Sequence, residues 1–268
     1  MKLEVLMSCM HQTDDTLVRK SCLTGNVVMV NQCQEELYQE FRTERGMLRM
    51  FSCTERGLTK SRNRAIKESN ADICLLCDDD EIFLPDYEPD ILQAYRNLPE
   101  ADIIIFKMTN YPEKFKNKVM RLRFPQTMHV ASWQISFRRQ RLLESGVRFD
   151  ELLGAGTGNG AEEELKFLLD SQKAGLKIYY VPTAIASVGQ QTSTWFEGFT
   201  EQFFENRGAT TRYILGRGPA YAYALYYVIR KRNMYCSAIS PRKAFLAISR
   251  GIRENKIAKQ ADARRRIP

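Results

Sequence analysis

Residues 73–81 read ICLLCDDDE. Five apolar residues stop abruptly at three aspartates and one glutamate. A strand that is buried on both faces has a continuous apolar sequence, and open α/β sheets bind ligands beyond the carboxyl ends of their strands. The stretch therefore predicts a buried strand of an α/β sheet that ends in a carboxylate cluster at a ligand-binding edge.

The acidic residues of this stretch also predict a metal site. Adjacent carboxylates repel one another unless a cation lies between them, and divalent ions such as Mg²⁺ and Mn²⁺ prefer oxygen ligands. A solvated acidic turn would explain the same residues. The rest of the chain has to decide between these two interpretations.

Strands and helices alternate in the sequence before residue 73. Apolar runs favour strands, and charged segments with capping residues favour helices. This alternation is typical of βαβ units and a parallel sheet. Right-handed crossovers would then bring the strand ends at His11, Asn31 and Asp78 to one edge of the sheet. The predicted strands are 3–7, 26–32 and 47–53, and the predicted helices are 14–22, 35–45 and 59–69.

A second acidic group follows a glycine-rich loop at 154–161, where Glu162, Glu163 and Glu164 begin a predicted helix that extends to residue 174. The loop lacks the Gly-Lys-Ser/Thr ending of a P-loop, and the glutamates would repel a phosphate. We interpret the loop as one that brings a carboxylate to the active-site edge, although acids in a first helical turn also simply complement the helix dipole. The other predictions are helices at 88–98 and 139–144, strands at 101–108, 132–137 and 176–181, and a loop at 109–127.

Composition places the chain in a broad class. Its 268 residues suffice for a large α/β domain with a smaller extension, and 44% of them are hydrophobic. No run approaches the roughly 20 apolar residues that cross a bilayer, and the N-terminus is unlike a signal peptide, so we expect an intracellular protein. Seven scattered cysteines predict reduced thiols, with Cys74 and Cys77 in the core, and two histidines are too few for a His-rich zinc site.

Positive charge is concentrated in the C-terminal part of the chain. From Arg207 onward there are 15 Lys or Arg and two acids, whereas the first 206 residues have 25 Lys or Arg and 30 acids. Such asymmetry indicates a polyanionic partner, either anionic lipid or nucleic acid. Aromatic residues between Trp195 and Tyr227 recur at helical spacing, which predicts either core packing or an interfacial amphipathic surface.

In their order and spacing, these motifs resemble a family 2 glycosyltransferase of the GT-A fold. The resemblance covers about residues 1–190 and includes the sequence GLTKSRN at 57–63. Asp78 and Asp80 stand at the two acidic positions of the D-x-D motif. The pair Glu163-Glu164, followed by Gly175 and a strand, resembles the acidic E-D motif that supplies the catalytic base. In this chain Glu164 replaces the usual second aspartate, and Asn31-Gln32 stand where the family usually has an aspartate.

The resemblance implies a set of site residues and a division of the chain. Residues 1–190 would form the GT-A catalytic domain, with a nucleotide-sugar part at 1–108 and an acceptor part at 109–190, and residues 191–268 a basic, aromatic-rich helical extension. The metal, Mg²⁺ or Mn²⁺, would be held by Asp80 and Asp78. The general base would be Glu164, Glu163 or Glu162; because these side chains point about 100° apart on a helix, only one can face the acceptor. The nucleotide-sugar site would comprise Ser8, His11, Asn31, Gln32, Lys60, Arg62, Asp78 and Asp79.

The implied activity is inverting transfer of a sugar from a nucleotide-diphosphate donor, for example a UDP-sugar, to a saccharide or lipid-linked saccharide, as in surface polysaccharide synthesis. The basic tail would attach the protein to the inner face of a membrane. One alternative is a metal-dependent nucleotidyltransferase, although residues 8–13 lack the glycines and cations of a nucleotide loop. The other is a non-enzymatic polyanion-binding protein; the tail lacks a nucleic-acid recognition motif, so we expect no nucleic acid.

Overall fold

The computed structural model describes residues 1–112, 114–159, 162–189 and 198–265. The chain divides into two compact units. The first comprises residues 1–149 and 164–191, and the second comprises residues 150–163 and 192–268. The functional division predicted from the sequence, with donor and acceptor parts inside residues 1–190, is not decided by this grouping and stays a prediction.

The first unit is built on a mixed sheet of strands with helices packed against it. Its strands are β1 Leu3–Met10, β2 Asn26–Gln32, β3 Leu37–Arg42, β4 Met47–Cys53, β5 Ile73–Cys77, β6 Glu81–Phe83, β7 Ile103–Met108, β8 Met120–Leu122, β9 Ile135–Arg138 and β10 Ile178–Val188. Within the described residues these ten strands follow the order β3-β4-β2-β1-β5-β9-β7-β10-β6, and β8 pairs with β10. The helices are α1 Thr16–Lys20, α2 Leu58–Glu68, α3 Tyr87–Asn97, α4 Arg139–Ser145 and α5 Glu163–Lys173.

Strand β5 is buried over its whole length, as the run ICLLC predicts. Its odd-numbered side chains belong to one hydrophobic cluster, with Ile73, Leu75 and Cys77, and its even-numbered side chains belong to a second cluster, with Cys74 and Leu76. Side chains alternate between the two faces of a strand, so both faces of β5 are covered by apolar residues. The prediction that Cys74 and Cys77 are core residues is confirmed.

The carboxyl ends of four neighbouring strands lie at one edge of the sheet. Strand β1 pairs in parallel with β2 and β5, and β2 pairs in parallel with β4. In this register Met10 lies beside Gln32, and Gln32 lies beside Cys53. Met7 lies beside Cys77, so the chain leaves β5 into Asp78 at the same edge. The predicted meeting of these strand ends is confirmed.

The predicted helix at 35–45 is wrong, because this segment is the edge strand β3, antiparallel to β4. Its charged residues suggested a helix, yet charged side chains are also typical of an edge strand, where one side of the backbone faces water. The ring of Tyr38 packs on Phe51 of β4 at a centroid distance of 4.9 Å. The predicted loop at 109–127 contains the short strand β8, and the predicted strand at 132–137 begins with a 3₁₀ turn at Ser132–Gln134.

The second unit is helical in its C-terminal part, as predicted. Its helices are α6 Glu201–Leu215, α7 Arg217–Arg230, α8 Arg232–Tyr235, α9 Pro241–Glu254 and α10 Lys256–Arg265. Helices α6 and α9 cross in close contact. A Cβ atom at Gly208 would lie 2.1 Å from the carbonyl oxygen of Ile248, and one at Gly251 would lie 2.0 Å from the carbonyl oxygen of Glu205. The crossing therefore needs glycine on both helices.

In the part of the chain that the structure describes, no helix is both long and apolar enough to traverse a membrane.

Candidate active site

The carboxylate cluster follows β5 at the edge described above. Asp78 accepts hydrogen bonds at both carboxylate oxygens, from Nη2 of Arg62 at 2.8 Å and from Oγ of Ser132 at 3.2 Å. Burial raises the pKa of Asp80, and the negative charges of Asp78 and Asp79 raise it further. The cluster is therefore a place where additional positive charge would be favourable.

Arg62 supplies part of that positive charge from helix α2. Its side chain is 1% exposed, and its guanidinium lies over the ring of Phe149 at 5.5 Å from the ring centre. A buried guanidinium requires a counter-charge, which Asp78 provides. The arrangement fixes the Asp78 carboxylate in one position at the edge of the sheet.

Two contacts hold the turn that carries the aspartates. The backbone N–H of Asp78 donates to Oε1 of Glu81 at 2.8 Å, and the N–H of Gly189 donates to the carbonyl oxygen of Asp80 at 2.6 Å. Glu81 is 1% exposed, and burial, together with the charge of Asp78, raises its pKa well above the ordinary value. A Cβ atom at residue 189 would lie 2.9 Å from the Asp80 carbonyl oxygen, so glycine permits this close approach.

A chain of contacts joins α2 to helix α5, which carries Glu164. The amide side chain of Asn63 donates to the carbonyl oxygen of Phe149 at 3.0 Å and accepts from its N–H at 2.9 Å. The ring of Phe149 stacks on that of Phe167, with centroids 4.3 Å apart and planes at 5°. Glu164 precedes Phe167 by three residues and therefore lies on the same side of α5. The first turn of α5 is thus fixed relative to Arg62.

The three glutamates have different surroundings. Glu162 has a backbone φ of 83°, in the left-handed region that non-glycine residues rarely adopt, and its Oε1 accepts from Nη1 of Arg207 at 2.9 Å. Glu163 is 6% exposed, whereas Glu164 is half-buried. The carboxylate of Glu162 is therefore held in an ion pair within the second unit.

Arg207 is the centre of a polar cluster in the second unit. The same Nη1 atom that binds Glu162 also donates to the hydroxyl of Tyr223 at 2.7 Å, and the guanidinium lies 4.6 Å from the ring centre of Tyr227. Burial raises the pKa of Tyr223 to about 12, so this hydroxyl stays protonated at neutral pH. The glycine-rich loop joins the same unit because the hydroxyl of Thr210 donates to the carbonyl oxygen of Asn159 at 2.7 Å.

Several predicted nucleotide-binding residues hold loops together at the edge. Asn31 is fully buried, and its Nδ2 donates to the carbonyl oxygen of Gln12 at 2.7 Å and to Oγ of Ser52 at 3.0 Å. Oε1 of Gln32 accepts from the N–H of Gly57 at 2.8 Å, at the start of α2. Both side chains therefore shape the edge through neighbouring loops.

The remaining predicted positions differ in exposure. Ser8 is 7% exposed, and its hydroxyl makes no hydrogen bond to any described residue. His11 and Asp79 are exposed, and His11 adopts a left-handed φ of 55°. Lys60 is half-buried and pairs with Glu55 at 3.0 Å. Their roles toward a nucleotide sugar stay predictions.

Sequence reasoning missed several residues that form this site. Ser132 binds Asp78 only because β9 lies between β5 and β7, which no local pattern reveals. Glu81 was visible as a fourth acid, but its burial follows from the pairing of β6 with β10. Phe149 looked like an ordinary apolar residue. Ser132 and Phe149 carry no sequence signal that distinguishes them from their neighbours.

The carboxylate oxygens at this edge fit a divalent ion whose coordination is completed by substrate phosphates. Asp78 and Asp80 offer the carboxylate oxygens that Mg²⁺ and Mn²⁺ prefer. Among the residues with described positions, no group of three or more His, Cys, Asp or Glu side chains could surround one ion. Mg²⁺ usually takes one or two carboxylates and completes its coordination with substrate phosphates and water. Two aspartates are therefore a sufficient protein contribution.

Comparison with known proteins gives a family and a fold. The family whose model matches this chain is described as Glycosyl transferase family 2, and the match covers residues 15–154. No curated protein matches the chain by sequence.

Among solved structures, the chain resembles S. aureus TarS. For TarS 1-349 in complex with UDP-GlcNAc the TM-score is 0.58 at 16% identity, covering 78% of this chain and 66% of that one. For TarS 1-349 in complex with UDP the TM-score is 0.52 at 16% identity, covering 78% and 65%. For the structure of S. aureus TarS that is not restricted to residues 1-349, the TM-score is 0.52 at 16% identity, and this chain spans only 39% of that chain. At these identities the likeness concerns the fold, and it confirms the predicted GT-A class.

Proposed function

Because this chain belongs to glycosyltransferase family 2, and is therefore an enzyme that transfers a sugar from a nucleotide sugar, we propose that its donor is a UDP-sugar and its acceptor a saccharide or lipid-linked saccharide. Structures of TarS with UDP-GlcNAc and with UDP support uridine as the nucleoside. Surface polysaccharide synthesis is the proposed setting. Residues 1–108 are proposed to bind the donor and residues 109–190 the acceptor.

The observation that carries the proposal is the ion pair between the buried Arg62 and the partly exposed Asp78 at the carboxyl edge of the parallel strands. This edge is where open α/β sheets bind their ligands. Asp78 is held in place by Arg62 and Ser132, so it can accept hydrogen bonds from the donor without first being ordered. Arg62 and Lys60 are proposed to add positive charge near the diphosphate of the donor, and Asp79, which is exposed, is proposed to contact the nucleotide sugar.

Asp80, together with Asp78, is proposed to hold Mg²⁺ or Mn²⁺. When bound, the ion would stabilise the negative charge that develops on the leaving diphosphate. The raised pKa of Asp80 supports this assignment, because a carboxylate that is costly to ionise alone gains from a nearby cation. Glu81 and Gly189 hold the turn and thereby orient the Asp80 side chain.

Glu164 is proposed as the general base that accepts the proton of the attacking acceptor hydroxyl. Glu162 lies before the first residue of α5, and Glu163 is less accessible because it is 6% exposed. Glu164 is half-buried, and its helix is joined to Arg62 through Phe149 and Phe167. Attack opposite the leaving diphosphate in a single step inverts the anomeric centre.

A donor screen tests this proposal. Purified protein is incubated with UDP-, GDP- and dTDP-sugars in the presence of Mn²⁺, and released nucleoside diphosphate is measured. We expect release from at least one UDP-sugar, loss of release on adding EDTA, and a decrease of at least about 100-fold in the Asp80→Asn variant. Release of nucleotide only from GDP- or dTDP-sugars would contradict the proposal that the donor is a UDP-sugar. Release that is insensitive to EDTA and to Asp80→Asn would contradict the proposed metal dependence.

A further inference from the structure

The outer face of α7, defined as Ala222, Leu225, Tyr226 and Ile229, is exposed and apolar. Leu225 is 52% exposed, Tyr226 47% and Ile229 68%. The opposite side of the same helix, which includes Tyr227, is buried in the core of the second unit. A helix at a protein surface normally presents charged or polar residues to water. Helix α7 is apolar on both sides, so its outer face needs a partner.

The charges around this face all have the same sign. Between residues 217 and 253 the sequence contains eight Lys or Arg and no Asp or Glu. Arg217 is the first residue of α7 and Arg230 is its last, and Lys231 and Arg232 come directly after the helix. All four are exposed. The three consecutive cations form no ion pair with any residue that the structure describes. A partner of this face must therefore combine an apolar phase with negative charge.

We propose that the outer face of α7 docks on an anionic lipid bilayer, with the cations at 230–232 contacting the headgroups. Helices with an apolar face, aromatic residues and flanking Lys or Arg lie in the plane of the membrane interface. With 14 residues, α7 is about 21 Å long, which is shorter than the hydrocarbon core of about 30 Å, so it lies on the bilayer. Each cation near an anionic leaflet strengthens the attachment.

Two other partners fit these residues less well. A second copy of the chain would place the cations at 230–232 opposite the same cations in a parallel pair of α7 helices, or opposite Arg217 in an antiparallel pair, and like charges in contact are unfavourable. A nucleic acid would satisfy the cations but would leave Leu225 and Ile229 in water. A bilayer satisfies both. The inference concerns attachment only and does not depend on the donor or on the catalytic residues proposed above.

Cosedimentation of the full chain with lipid vesicles tests the inference. The vesicles are phosphatidylcholine alone or mixed with about one third phosphatidylglycerol. The apolar variant is the double substitution Leu225→Gln/Ile229→Gln, and the basic variant is the triple substitution Arg230→Gln/Lys231→Gln/Arg232→Gln. Controls are Leu37→Gln, an exposed apolar residue of β3, and the triple substitution of the exposed cations Lys114, Lys116 and Lys118 to Gln.

We expect the wild-type protein and both controls to sediment with the anionic vesicles and not with phosphatidylcholine alone. Each test variant should weaken vesicle binding by at least about tenfold while its helical circular dichroism is unchanged. Failure of the wild type to bind anionic vesicles, or equal binding by both test variants, would overturn the inference. A wild-type dimer in light scattering that Leu225→Gln/Ile229→Gln converts to monomer, without vesicle binding, would assign the face to self-association instead.

Discussion

The guanidinium of Arg62 lies 2.8 Å from the carboxylate of Asp78, with the arginine buried at 1% exposure and the aspartate side chain 27% exposed. This asymmetry means that the arginine is held by the fold, whereas the aspartate can still meet a ligand at the edge of the sheet. Arg62 also contacts Phe149, whose ring stacks on α5. One side chain therefore connects the carboxylate cluster with the helix that carries the proposed base.

Replacing Arg62 by Met is predicted to reduce both activity and stability. The substitution leaves Asp78 without its counter-charge; because the Asp78 side chain is 27% exposed and keeps contact with water, we expect a loss of about 1–3 kcal/mol, less than for a fully buried pair. Sugar transfer should fall by at least about 100-fold. Arg62→Lys keeps the charge but loses the planar fork, so an intermediate effect is expected. The measurements are urea unfolding and nucleotide release. Wild-type values for Arg62→Met in both would contradict this role.

Conservative substitution of the three glutamates is predicted to affect transfer rate and stability differently at each position. Glu164→Gln should reduce transfer by at least about 100-fold, because the amide cannot accept the acceptor proton. Glu162→Gln breaks the pair with Arg207, so its main effect should be a lower melting temperature, with less than about tenfold loss of transfer. Glu163→Gln is the matched control on the same turn. Steady-state rates and melting curves of all three distinguish the cases, and a larger rate loss in Glu162→Gln than in Glu164→Gln would assign the base to Glu162.

The buried carboxylate of Glu4 predicts a pH-dependent contribution to stability. Burial by itself would raise the pKa of Glu4, but hydrogen bonds from Ser69 at 2.7 Å and from the Asn70 N–H at 2.9 Å outweigh it and lower the pKa. Since the pKa is lower in the folded than in the unfolded protein, the stabilisation is present above the ordinary value of 4.5 and is lost as the pH falls through the lowered value.

Glu4→Gln should therefore decrease the free energy of unfolding by about 1–3 kcal/mol at neutral pH, and the difference should shrink as the pH falls below about 4. Urea unfolding of both proteins from neutral pH to about pH 3.5 checks this. Glu44→Gln, at an exposed turn between β3 and β4, serves as the control and should behave as wild type. A difference that grows toward acid pH would show that the sign of the linkage is wrong.

Alanine at Gly208 or Gly251 is predicted to destabilise the helical unit. Each added Cβ would meet a backbone carbonyl oxygen, at 2.1 Å and 2.0 Å respectively, so α6 and α9 would have to move apart. Overpacking of this kind costs about 1–3 kcal/mol or more.

Gly218→Ala is the matched control on α7, because its Cβ would meet no atom within 4 Å. Alanine favours a helix over glycine, so this variant should be neutral or slightly more stable. Thermal unfolding compares the three variants. Equal melting temperatures for Gly208→Ala and wild type would contradict the close crossing of the helices.

The sequence predicted the features of the fold and site that depend on local pattern. The apolar run at 73–77 gave a buried strand because only a strand covered on both faces can be apolar throughout. The acids that follow it and the segment that carries Arg62 could be assigned to one edge from the order of strands and helices, whereas the assignment of the glutamates at 162–164 to that edge stays a prediction. The error at β3 has the same origin, because a short, charged segment has no period that separates an edge strand from a surface helix.

The sequence alone is enough to predict the α/β class, the carboxyl edge and the charged residues that follow its strands, since these depend on neighbours a few residues apart. Which charges are paired is visible only in the folded protein. Arg62 meets Asp78, and Glu162 meets Arg207 in a separate unit, across 16 and 45 residues of chain. Such pairings depend on how strands and helices pack, and the packing energy is shared among many distant apolar residues. For that reason the sequence alone could not show that Arg62 and Ser132 hold the first aspartate of the cluster at 78–80.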